Sequence, residues 1–157
     1  MVVDLPAGNA VMISEEYVEE FSWLRQHTQL GDWFLQTAWL NSYFPLRLRS
    51  PIFLDALWPR AETRPEYVDL AVRQIARQPV ELILWSPSQA QPDSACCSRD
   101  NHLGPFRTYL LSHYTRSHVF SNGDEIWQLR HGLGNGPPAT GTGRSSSFQT
   151  AGTGNGR

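Results

Sequence analysis

The groups in this chain that are able to do chemistry are few and scattered. His102 follows Asp100 and Asn101 at the start of an apolar-periodic run. An imidazole titrating near neutrality beside a carboxylate suits acid–base work, and a helix-cap or surface histidine has the same sequence context. Arg47 and Arg49 flank Leu48 in a stretch rich in aromatics, with Trp39, Tyr43 and Phe44 just before it. Paired guanidinium groups there suit an anionic sugar or phosphate, and equally a face that packs on another domain. His27, His113, His118 and His131 are the remaining histidines, and His-x-x-x-His, the spacing that puts two ligands on one helix face, is absent. Cys96 and Cys97 are adjacent. Two thiols are too few for structural zinc, and bridging neighbours constrains almost no chain, so an inert exposed pair is expected. Ser86-Pro87 and Ser112-His113 lack the Gly-x-Ser-x-Gly context of a nucleophile elbow. Asp32, Asp55 and Asp124 stand at the ends of predicted elements and read as caps and turn residues. No glycine-rich phosphate cradle follows a predicted strand. The expectation is a site with no metal and no cofactor, and no catalytic residue is assigned.

Composition narrows the classes further. All 13 basic residues are arginine, which excludes a lysine Schiff base, a P-loop lysine and a lysine general base. They stand against 15 acidic residues, a net charge of −2, so no basic footprint marks a nucleic-acid partner. A hydrophobic fraction of 40% with 6 Trp, 5 Tyr and 7 Phe excludes global disorder. The 157 residues suit one domain. No apolar run is long enough to span a bilayer. Residues 1–8 have neither a basic nor a continuous apolar segment and do not read as a signal peptide.

These groups must be positioned by elements whose order is legible. Residues 1–13 carry no periodicity and read as a flexible leader. Ser14 suits an N-cap, with Glu15 and Glu16 in the first turn and Tyr17, Val18, Phe21 and Leu24 at helical spacing, which predicts a helix over 15–28. Trp33 to Ala38 and Pro51 to Leu54 read as strands, with a turn or short helix between them. Thr63-Arg64-Pro65-Glu66 has capping-box spacing and opens a helix bearing Val68, Ala71, Val72 and Ile75, stopped by Pro79. Val80 to Trp85 is the most strand-like run. A surface loop over 86–101 precedes a helix over 103–114. Asn122-Gly123 between β-prone runs predicts a hairpin with a type I′ turn. Residues 131–157 hold eight of the 12 glycines and almost no large apolar side chain, and read as a disordered tail. The map is a single α/β domain over 14–130. Its expected form is a small, mostly parallel sheet with helices on both faces, closed by a C-terminal β-hairpin at the sheet edge. Six tryptophans exceed what such a core needs, so some are expected on a docking face.

One group of residues carries a resemblance. Leu24-Arg25, Thr28 to Asp32, Tyr43 to Arg49, Thr63 to Glu66, Ile83 to Trp85, Leu110 to Tyr114 and the closing Phe120 to Trp127 form an ordered series over about residues 20 to 130. The series resembles the C-terminal soluble region of bacterial membrane glycosyltransferases. Those are similar to the dolichyl-phosphate-mannose protein mannosyltransferases and the aminoarabinose lipid A transferases. In that family the catalytic acid and the polyprenyl-phosphate-sugar site lie in the membrane part, so no catalytic residue carries over. The resemblance implies a non-catalytic accessory domain on the extracytoplasmic, periplasmic face. Its partner would be the membrane domain of a glycosyltransferase or the membrane surface, and its docking face would include Trp39, Tyr43, Phe44 and Trp58. The glycine-, serine- and threonine-rich tail departs from the family's pattern. The alternative is a free-standing small α/β enzyme or binding protein for a small anionic ligand, with Arg47, Arg49 and His102 in its pocket.

Overall fold

The computed structural model describes residues 1–12, 14–37, 42–54, 57, 63–87 and 102–131. Trp39, Trp58, the Cys96-Cys97 pair and the tail from 132 onward lie outside the described residues. Ser14 caps α1 (Glu15–His27), accepting the Tyr17 N–H, and the Thr28 hydroxyl closes the helix by donating to the Leu24 carbonyl at 2.7 Å. The chain continues through β3 (Phe34–Gln36), α2 (Tyr43–Leu46), α3 (Pro65–Arg77), β4 (Leu82–Trp85), α4 (Gly104–His113), β5 (Tyr114–Val119) and β6 (Glu125–Leu129). At the start of α3 the N-cap is Arg64, with no side-chain cap. Pro65 at the first helical position holds Arg64 extended and leaves Glu66 at the second, one place short of where a capping box needs it.

The main sheet has the order β3-β4-β6-β5. Only β3 and β4 are parallel; β6 runs antiparallel to both β4 and β5. The fold is mixed α/β, and the expected mostly parallel sheet is wrong. One physical reason is the missing second strand. Pro51 to Leu54 forms a series of bends, in which the Ser50 hydroxyl accepts the Ile52 N–H and donates to the carbonyls of Ile52 and Leu54. Such local bonds offer the backbone an alternative to a ladder. The other reason is that the hairpin's second strand, not its first, joins the parallel pair.

Side chains alternate across β4, which is covered on both faces as a central strand must be. Leu82 and Leu84 pack with Phe34, Ile126 and the α1 residues Phe21 and Leu24. Ile83 and Trp85 pack with Leu35 and with Val68, Ala71 and Ile75 of α3 and Phe106 and Leu110 of α4. The Tyr114 hydroxyl, fully buried, donates to the Val80 carbonyl at 3.0 Å, and Phe106 stacks on Trp85 at 5.7 Å between centroids. These two contacts show that α4 runs antiparallel to β4, its first turn beyond the carboxyl end of that strand.

Where a leader is expected, the structure has a second sheet, the hairpin of β1 (Val2–Leu5) and β2 (Gly8–Val11). A two-stranded hairpin is marginal alone. This one is tied to the domain by Leu5, buried in the α1-face core, and by the Ala7 N–H donating to the Pro45 carbonyl at 3.1 Å. Its four-residue strands bury a single side chain, so no apolar alternation announces it.

The β5–β6 turn also differs from expectation. Gly123 alone takes positive φ, at 88°, while the Gly123 N–H donates to the Phe120 carbonyl at 2.9 Å. This is a three-residue loop, Ser121 to Gly123, with glycine in the left-handed position, and not a type I′ turn, which needs positive φ at two residues. A β-carbon at Gly123 would meet nothing within 4 Å, so the cost of Gly123→Ala is conformational alone. It is expected to be about 1 kcal/mol in urea unfolding, with an unchanged slope.

Candidate functional site

The carboxyl ends of parallel strands are where open α/β sheets gather their chemistry. Here the ends of β3 and β4 carry a chain of polar side chains, nearly all buried. Thr37, one residue past β3, donates its hydroxyl to the Leu84 carbonyl at 3.1 Å and accepts the Ser86 N–H at 3.2 Å. Gln36 accepts both the Ser42 N–H and the Ser42 hydroxyl, at 3.0 and 2.7 Å. Past β4, the Ser86 hydroxyl donates to Asp124 Oδ1 at 2.5 Å. Asp124 stands just before β6, where its own N–H donates to Asn122 Oδ1 at 2.9 Å, an Asx-type turn bond.

Two helix residues close the cluster from above. Glu19 accepts the N–H and hydroxyl of Ser121, at 3.1 and 2.5 Å. Those bonds hold its carboxyl below the usual range. Glu20, only 1% exposed, accepts the Asn122 amide on Oε1 at 2.5 Å, and the same amide reaches Asp124 Oδ2 at 3.4 Å. Glu20 Oε2 is buried with no hydrogen-bond partner among the described residues. Burial pushes the Glu20 carboxyl up to about 7; the Asn122 bond works against this, and the neighbouring Asp124 carboxylate adds to it. Loss of the Glu20 proton is thereby disfavoured, and Oε2, the oxygen without a partner among the described residues, is where that proton is expected.

The arrangement favours the protonated form of Glu20 and pins the β5–β6 turn to α1. His118, the histidine nearest this turn in sequence, stacks on Trp23 at 5.3 Å between centroids and meets Phe120 edge-to-face at 4.7 Å. Among the described residues no three His, Cys, Asp or Glu side chains come together in a way that would hold a metal ion. No described helix is long and apolar enough to cross a membrane.

Glu20 and Asp124 are the pair that residue-by-residue reading misses, since Asp124 alone reads as a turn residue. The signal is present in α1, where Tyr17, Phe21 and Leu24 mark the inward stripe and Glu20 falls inside it. A carboxylate on an apolar face is one that must find a partner.

The residues chosen from sequence are placed apart. Arg47 is the exposed C-cap of α2, with φ at 53°, and its carbonyl accepts the Gly31 N–H at 2.9 Å. Arg49 forms an isolated parallel bridge with Trp33 at the amino end of β3, its guanidinium 5.8 Å from the centre of the Trp33 ring. His102 is half-buried just ahead of α4, toward the carboxyl end and on the opposite face from α1. The arginines and His102 therefore lie at opposite ends of the sheet. Tyr43 is half-buried against Phe34, its hydroxyl accepting the Gln36 N–H at 3.3 Å, whereas Phe44 is 78% exposed. Asp32 accepts the Gln29 N–H at 2.8 Å, a turn residue as expected. Comparison with known proteins finds no matching family model, no matching curated protein and no matching solved structure.

Proposed function

We propose that this chain is a non-catalytic accessory domain that docks, through its α2 edge, onto the membrane part of a glycosyltransferase using a polyprenyl-phosphate sugar donor. The observation that carries the proposal is the exposure of Phe44 on α2, just ahead of two buried leucines of the same segment that alternate with two exposed arginines. Leu46 and Leu48 anchor the segment in the core, while Phe44, Arg47 and Arg49 project outward. An apolar ring flanked by guanidinium groups suits the boundary between anionic headgroups and acyl chains. The resemblance across residues 20 to 130 supports the glycosyltransferase assignment. The burial of the Glu20–Asp124 pair supports a domain without catalysis of its own, because a general base must reach its substrate.

The test is flotation of the purified chain with vesicles containing anionic phospholipid. Wild type is expected to float. Arg47→Gln and Arg49→Gln are each expected to weaken partitioning about fivefold, from about 1 kcal/mol per cation near the surface. Phe44→Ser is expected to weaken it further, with the melting temperature unchanged in all three because the side chains are exposed. Failure to float, or flotation indifferent to all three changes, overturns the docking face. Sugar transfer by the isolated chain from a lipid-linked donor overturns the non-catalytic reading. The alternative of one small-anion pocket built from Arg47, Arg49 and His102 is disfavoured by their separation.

A further inference from the structure

A cavity of 310 Å³ lies between α4 and the β5–β6 hairpin, on the opposite face of the sheet from α1. Its walls include Arg107 of α4, Arg116 of β5, and Glu125 and Trp127 of β6, with Trp85 at its base. Arg116 and Trp127 stand opposite each other in the ladder. Both donate to the same carboxylate: Arg116 Nη1 to Glu125 Oε1, and the Trp127 indole N–H to Glu125 Oε2, each at 2.8 Å. Glu125 is thereby fully engaged and fixes the orientation of the indole. With its one donor used, Trp127 has only its apolar ring to offer a ligand. Arg107 makes no ion pair among the described residues. Among the described lining residues, two guanidinium groups against one carboxylate leave a single positive charge. The half-buried Trp127 and the exposed Leu111 supply apolar surface beside it.

We propose that this groove binds a small aromatic monoanion, its carboxylate paired with Arg107 and its ring laid on Trp127. A preformed cavity of this volume, part apolar and part charged, is within the range of a small-molecule site. The planar fork of arginine matches a carboxylate. The Glu125 carboxylate beside Arg116 selects against dianions such as phosphate monoesters, which would leave one charge facing it. The site is independent of the α2 edge.

The probe is 2-naphthoate, titrated into the full chain by calorimetry. Naphthalene-2-carboxamide serves as the neutral isostere and acetate as the ringless anion. Saturable binding of naphthoate is expected, at least tenfold weaker for the carboxamide and not displaced by equal acetate. Arg107→Gln is expected to weaken naphthoate at least tenfold with an unchanged melting temperature, since the side chain is exposed. Arg47→Gln is expected to have no effect. Absence of saturable binding, equal affinity for the carboxamide, or a loss with Arg47→Gln in place of Arg107→Gln would overturn the assignment.

Discussion

Glu20→Gln is expected to raise the melting temperature by several degrees at pH 8 and to leave it nearly unchanged at pH 4. In the folded domain the Glu20 carboxyl titrates at about 7, against an ordinary value of 4.5. Below the lower value the group is protonated in both states and contributes its full stability. As pH rises toward 7 the unfolded chain releases the proton while the folded domain retains it. Stability therefore falls, by roughly 1.4 kcal/mol per pH unit and by up to about 3 kcal/mol in total. The Gln amide has the same shape and carries no proton to lose. Its oxygen can still accept from Asn122, and its N–H₂ group takes the place of the protonated oxygen. The wild-type and variant stability curves should thus converge in acid and separate in base. Parallel curves, or a variant less stable at both pH values, would sink the reading of a Glu20 that keeps its proton in the folded domain. The sign is also diagnostic: domains held by salt-bridged carboxylates lose stability on acidification, and this contribution runs the other way.

The second large effect is in the core. Phe106→Ala is expected to cost about 3–5 kcal/mol, through lost transfer energy and the cavity left beside Trp85. Phe106 has no exposed surface, stacks on Trp85 at an interplanar angle of 19°, and joins α4 to the sheet. Domains of this size are stable by about 5–15 kcal/mol, so most of the margin would go. Chemical denaturation monitored by tryptophan fluorescence should show a far earlier midpoint, or no cooperative transition. Phe44→Ala, the same chemical change on an exposed ring, should stay within about 0.5 kcal/mol. Similar losses for the two would mean that Phe44 is buried in solution by contacts the isolated fold does not make.

What the sequence made legible follows from the range over which each signal acts. The helices 15–27, 65–77 and 104–113 and the strands 34–36 and 82–85 appear close to where periodicity and the glycine and proline stops put them, because those signals are local. Strand pairing is not local. Nothing in the order β3, β4, β5, β6 says that β6 slips between β4 and β5, and on that depends whether the sheet is parallel or antiparallel. The 51–54 strand fails because Ser50 supplies competing bonds, and strand propensity does not count them. The N-terminal hairpin escapes because Leu5 is its one fully buried side chain, with Val3 and Ala10 only partly covered. Glu20 and Asn122 are 102 residues apart, so each looks ordinary until the fold joins them.

The sheet order has a consequence for vectorial synthesis. β6, the last strand in the order of the described residues, occupies an interior position, and β4 is bordered on that side by β6. Until residue 129 has left the ribosome, β4 presents the unpaired backbone of Leu82 to Trp85, the most apolar strand in the chain, to whatever is nearby. The nascent domain is therefore at its most adhesive just before β6 emerges. Any pause placed between β4 and β6 would prolong the interval in which a holdase chaperone, or a second nascent copy, competes with β6 for that edge.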